Sequence, residues 1–185
     1  TKRMGLPIRF VAAVNENNEF PLFLKTGKYK PLVPSKKCIS NAMNVGNPSN
    51  LARLIFFYGG KLTESGELAK KPNMNKLRKD VISISITDTE TRNAILEAYS
   101  QGITLEPHGA VGWAAIKKLK SEKKLGKVAL LETAHPAKFP EELDALKISY
   151  SIPDSLRKLK DLKENYLEIE PRLDDLKNII NKIYK

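Results

Sequence analysis

The chain has 185 residues, a formal net charge of +11, 41% hydrophobic and 29% charged residues, and one cysteine, Cys38. That length buries a core without covalent staples, and one thiol excludes an internal disulfide. No apolar run nears the ~20 residues that cross a bilayer, and no basic-then-apolar leader marks export, so a globular protein of the reducing cytoplasm is expected, with no membrane partner.

The first residue is Thr1 rather than Met, so polypeptide upstream of it is expected. "PIRFVAAV" (7–14) is β-branched and apolar and reads as a buried strand that ends in the polar run 15–18. "FPLFLKTG" (20–27) reads as a short helix with Gly27 past its end. Pro31 and Pro34 keep residues 28–38 extended, and "NPSNLARLIFFYGG" (47–60) reads as a helix capped by Asn47 or Ser49 and stopped by Gly59 and Gly60. The polar stretch 64–75 reads as loop or helix ends. "VISISI" (81–86) alternates with period two, as a strand does. Thr87 and Glu90 then fit a capping box, and Gly102 fits the stop of the helix they open. "ITLEPHGAVGWAAIKKLK" (103–120) begins extended and turns helical at Pro107, and "KVALLE" (127–132) reads as the next strand. The basic run "KKLKSEKKLGK" (117–127) carries no aromatics and reads as the solvated end of a helix, favoured there by the helix dipole, so nucleic acid is not expected as a partner.

Strands alternating with helices predict an α/β fold: three layers, a parallel twisted sheet flanked by helices over residues 1–150. From residue 151 the texture becomes charged and amphipathic, with Leu156, Leu159, Leu162, Leu173, Leu176, Ile179, Ile180 and Ile183 at helical spacing. Residues 151–185 read as a helical tail packed on the domain.

In such sheets ligands bind at the carboxyl ends of strands. Three of these ends are polar here: Asn15 with Asn17, Glu106 with His108, and Thr133 with His135. A fourth polar loop, "SNAMNVGNPSN" (40–50), offers Gly46, small enough for backbone to lie along a flat ligand, and a helix start at Asn47. Each has an ordinary structural alternative: turn asparagines, a turn glycine, capping or core histidines. No His/Cys cluster suggests zinc, and no P-loop, G-x-S-x-G or G-x-G-x-x-G is present. Spacing alone ends at an α/β ligand-binding domain.

The longer words go further. "GLPIRFVAAVNENNEFPLFLKTGKY", "SNAMNVGNPSN", "LEPHGAVGW" and "ETAHPAKF", in that order, resemble the carboxy-terminal half of threonine synthases, from about Met4 to the end of the chain. The resemblance implies a portion of a fold-type II pyridoxal 5'-phosphate enzyme, a carbon–oxygen lyase converting O-phosphohomoserine and water into threonine and phosphate. It implies that the Thr133 hydroxyl meets the pyridine nitrogen, that Gly46 lies along the cofactor's edge, and that Glu106 sits close to the ring. It sets Asn44, Asn47, His108, His135, Asn15 and Asn17 in the pocket's neighbourhood.

The chain also departs from the family pattern. Asn44 stands where the family more usually has aspartate, Leu51 replaces a tryptophan, and Ala-Ala-Thr-Asn reads here Ala13-Val14-Asn15. The family's Schiff-base lysine, in Phe-Lys-Asp, and its phosphate-binding glycine loop are expected upstream, so this chain holds no catalytic residue of its own and is not expected to work alone. Its expected partner is the missing amino-terminal part, and an oligomer is open. The alternatives are a non-catalytic module derived from such an enzyme and a related pyridoxal lyase.

Overall fold

The computed structural model describes residues 4–122, 125–159 and 162–184. Lys123 and Lys124 of the basic run, and Lys160 and Asp161 of the tail, lie outside the described residues. The chain divides into two compact units, Thr1–Ser151 and Ile152–Lys185.

In the first unit, β1 (Phe10–Val14) pairs in parallel with β4 (Val81–Ser85), Phe10 opposite Val81 through Val14 opposite Ser85. A parallel pair needs a crossover, here α1 (Glu19–Thr26), α2 (Leu51–Phe57), the β2–β3 hairpin (Lys61–Leu62 with Leu68–Lys70) and α3 (Met74–Asp80). Alternation along the strands then sorts the helices. Ala12 and Val81 face a core of Phe20, Phe23, Leu24, Leu51, Ile55, Tyr58 and Leu77 from α1–α3. Ala13 and Ile84 face the opposite way, toward Ile86, Val111 and Ala115. There α5 (Pro107–Ser121) lies against the sheet, and α4 (Asp88–Ser100) and α6 (Pro140–Ala145) complete the layer through Ala94, Ile95, Ala98, Ala110 and Leu143. Helices on both faces of a parallel pair give the expected three-layer α/β architecture.

Local chemistry explains the boundaries. Gly27 adopts φ 72°, and its N–H closes α1 on the Phe23 carbonyl at 2.7 Å. Thr87 and Glu90 form the full capping box of α4. Pro107 opens α5, where its missing N–H costs nothing. Lys117 and Lys118 of α5 pair with Glu97 and Glu90 of α4, so this part of the basic run is a helix face tied to its neighbour.

Three expectations are corrected. Neither Asn47 nor Ser49 caps α2: residues 48–50 turn first, Asn50 takes the cap position, and the Asn47 amide is committed to Tyr29 and Glu64. The polar stretch after Gly60 holds the β2–β3 hairpin, whose strands are too short for alternation to mark them. The strand expected over 127–132 does not form: Val128 and Leu131 are exposed, and among the described residues no strand lies alongside to complete a ladder.

The second unit holds α7 (Asp154–Arg157), begun at Pro153, and α8 (Leu173–Ile183). Leu173, Leu176, Ile180 and Ile183 form an exposed stripe along α8, whereas Leu159 and Leu162 fall outside any helix. Among the described residues no helix is long and apolar enough to cross a membrane.

Candidate functional site

The carboxyl ends of β1 and β4 enter one polar network. Ile86 donates its N–H to the Val14 carbonyl at 2.9 Å, and the Ser85 hydroxyl donates to the Asn15 carbonyl at 2.7 Å. The buried Asn15 side chain uses every polar atom it has. Its Nδ2 donates to Asn44 Oδ1 at 2.9 Å and Ser40 Oγ at 3.1 Å, and its Oδ1 accepts from the N–H and Nδ2 of Asn17 at 3.0 and 2.9 Å. Asn17 Nδ2 also donates to the Lys36 carbonyl at 3.0 Å, while its Oδ1 accepts the Lys36 N–H at 2.8 Å. Asn44 accepts the Cys38 N–H and donates Nδ2 to the Cys38 carbonyl, both at 3.1 Å. Three amides thus clamp residues 36–44 onto the end of β1. An aspartate at 44 would accept two of these bonds but could not donate to Cys38, which explains why an amide suits this loop.

A second chain of contacts reaches the same loop from α5. Glu106 is fully buried at the N-cap, where its Oε1 accepts the Gly109 N–H at 2.7 Å and its Oε2 accepts the His108 N–H at 2.8 Å. His108 Nδ1 lies 2.5 Å from the same Oε2, and His108 Nε2 accepts the Ala42 N–H at 3.1 Å. Because Nε2 accepts, the proton sits on Nδ1 and points at the carboxylate. Burial alone would raise the Glu106 pKa, but the His108 ring and the two backbone donors outweigh it and hold the carboxyl below its ordinary range.

Glu132 joins this chain from the segment after Val128–Leu131. Burial, and then a hydrogen bond to Glu106, push its pKa up to about 7. Its carboxyl lies over Gly109 so closely that a Cβ there would stand 1.9 Å from Oε2. The next residue, Thr133, is exposed, and its hydroxyl makes no hydrogen bond among the described residues. His135 acts locally. Its Nδ1 accepts the Ala137 N–H at 3.1 Å and caps the 3-10 turn Pro136–Lys138. Phe139 sets its ring 5.0 Å from that of His108.

Gly46 and Asn47 face elsewhere. A Cβ at Gly46 would stand 1.8 Å from the Leu32 carbonyl oxygen, so this glycine is required by the chain's own backbone. Asn47 accepts from the Tyr29 hydroxyl at 3.1 Å and donates to the Glu64 carbonyl at 2.9 Å. Beside β1 a cavity of about 430 Å³ is lined by Ala12, Val14, Phe20, Met43 and Leu54, with Asn17, Glu19 and Asn50 its polar members. Of the expected site residues only Asn17 reaches it. Glu19 is 6% exposed, and its Oε2 has no hydrogen-bond partner among the described residues. Burial raises its pKa, against its own backbone N–H.

Sequence reasoning missed Glu132, Glu19 and Ser40. Glu132 stands beside Thr133, but no spacing pairs it with Glu106. Glu19 reads as an ordinary first-turn acid, and only the fold brings Ser40 against Asn15.

Parallel strands whose carboxyl ends converge on a loop network, with helices on both faces, define an α/β domain of the layered parallel-sheet class. A family profile described as "Threonine synthase, C-terminal" matches residues 109–180. The threonine synthase of Buchnera aphidicola is 32% identical over 183 residues, covering 97% of this chain and 39% of that protein. A crystal structure of threonine synthase from yeast is 27% identical with a TM-score of 0.77, covering 100% of this chain and 43% of that one. A structure of PLP-bound threonine synthase from Brucella melitensis is 26% identical with a TM-score of 0.75, covering 98% and 42%. The chain belongs to the threonine synthase family and corresponds to its carboxy-terminal portion, spanning about two fifths of the length of the curated relatives it matches.

Proposed function

We propose that this chain forms one wall of a pyridoxal-phosphate-dependent threonine synthase working in the cytoplasm. Upstream polypeptide supplies the Schiff-base lysine and the phosphate loop, and the assembled enzyme converts O-phosphohomoserine and water into threonine and phosphate. The observation that carries this reading is the match of nearly the whole chain to only 39% of a threonine synthase's length.

The residues present fit the cofactor on this side. Thr133 offers an uncommitted hydroxyl at the rim, while the residues around it are already engaged with one another. Thr133 would hold the pyridine nitrogen through that hydroxyl, which, unlike a carboxylate, does not require the nitrogen to be protonated. When bound, the cofactor supplies an electron sink. Glu106 and His108 act behind it by fixing the start of α5 and the Ala42 loop. Asn15, Asn17 and Asn44 have spent their amides on the loop clamp, so their part is to hold the wall's shape. Gly46 and Asn47, turned toward Leu32 and Tyr29, set the loop's path along the cofactor's edge, and His135 fixes the turn that follows Thr133.

The test joins this chain to the amino-terminal part of a family member. The assembly should show a bound pyridoxal absorbance and release threonine and phosphate from O-phosphohomoserine, and this chain alone should release neither. An assembly that stays colourless and forms no threonine would refute the reading.

A further inference from the structure

Two acidic side chains on different elements meet at the N-terminus of α5. Glu106 already accepts from three donors: the backbone N–H groups of His108 and Gly109 and the His108 ring. It therefore stays a carboxylate, and a second carboxyl can approach only by bringing a proton. Glu132 is that carboxyl: its oxygens lie over Gly109, whose N–H Glu106 Oε1 accepts. Gly109 makes the approach possible: a Cβ there would lie 1.9 Å from Glu132 Oε2 and 2.5 Å from Cδ. The arrangement continues through His108 Nε2 to the Ala42 N–H, so one series of bonds runs from the residue beside Thr133 to the loop beyond β1.

We propose that Glu132 is a positioning residue, whose carboxyl-to-carboxyl hydrogen bond with Glu106 fastens the segment bearing Thr133 to the start of α5. Thr133's service to a pyridine ring rests on the proposed function; the fastening itself does not. The Glu132–Glu106 pair holds one proton. When Glu132 loses it, two carboxylates face each other, and the fastening becomes a repulsion. Among the described residues, the titratable groups acting on Glu132 are Glu106 and His108. His108 is engaged at both ring nitrogens, Nδ1 with Glu106 and Nε2 with the Ala42 N–H.

Amide shifts of the ¹⁵N-labelled chain give the first test. Thr133 and Gly109 should titrate together with a midpoint near 7 in the native sequence. That step should vanish in Glu132→Gln, which keeps a donor and cannot ionise. In Glu132→Ala the Gly109 amide, held by Glu106 and covered by the Glu132 carboxyl, should exchange with solvent several-fold faster. Titration unchanged in Glu132→Gln, or exchange unchanged in Glu132→Ala, overturns the proposal. The native-sequence titration needs no variant, so a misfolded mutant does not remove the test.

The assembled holoenzyme gives the second test. Its affinity for pyridoxal phosphate should fall several-fold more between about pH 6 and about pH 8 than that of Glu132→Gln. Parallel profiles count against the proposal. If the native assembly binds no cofactor, the proposed function fails, and the amide titration alone decides the role of Glu132.

Discussion

Thr133 has a hydroxyl at the end of a segment whose neighbours on both sides are tied down. Losing one hydrogen bond to a ligand costs on the order of 1 kcal/mol, so Thr133→Ala in the assembled enzyme should weaken cofactor binding about fivefold, as read by spectroscopic titration. Glu132 makes a prediction about stability. Its carboxyl titrates near 7 when folded against an ordinary 4.5. Between those values the folded chain holds a proton that the unfolded chain has released, so stability falls as pH rises. The contribution is whole below about 4.5 and gone once pH passes about 7. Solvent beside the side chain limits it to roughly 1 kcal/mol or less. Urea midpoints should fall across that window more steeply in the native sequence than in Glu132→Gln; Glu106, shifted down, acts below 4.5 and stays out of it. Asn15 carries the heaviest structural duty. Asn15→Leu strands the Asn17 and Asn44 amides and should cost about 1–3 kcal/mol in urea unfolding.

At the scale of elements, local rules were legible where local chemistry decides. The α4 capping box, the glycine stop of α1 and the proline start of α5 could all be read from short windows. Thr87→Ala should lower stability by about 1 kcal/mol, since it removes the side-chain acceptor for the Glu90 N–H. What depends on a distant neighbour was not legible. The run 127–132 has a strand's composition but no described strand to pair with. Asn47 looked like a cap until Tyr29 and Glu64 claimed it. Gly46 invited a ligand reading, while its glycine is imposed by the Leu32 carbonyl. Gly46→Ala should therefore destabilise the chain by about 2 kcal/mol or more even without cofactor, because backbone must move. The Glu106–Glu132 pair was invisible for the same reason: nothing in either window names the other.

For the whole molecule, alternation of strand and helix was enough to give the three-layer class, and four long motifs in order were enough to give the family. The shared network of the strand ends, which only the fold assembles, bears on more than the proposed chemistry. Cys38 sits inside it, 9% exposed, with both its N–H and its carbonyl held by Asn44. Burial, with the charges of Asp88 and Glu16, also raises the thiol's pKa. A thiolate is the reactive form, so an aromatic disulfide reagent should label this sole thiol only in the moments when residues 36–44 lift away. The labelling rate is thus a clock for the asparagine clamp, slow in the native chain and quickened by Asn15→Leu.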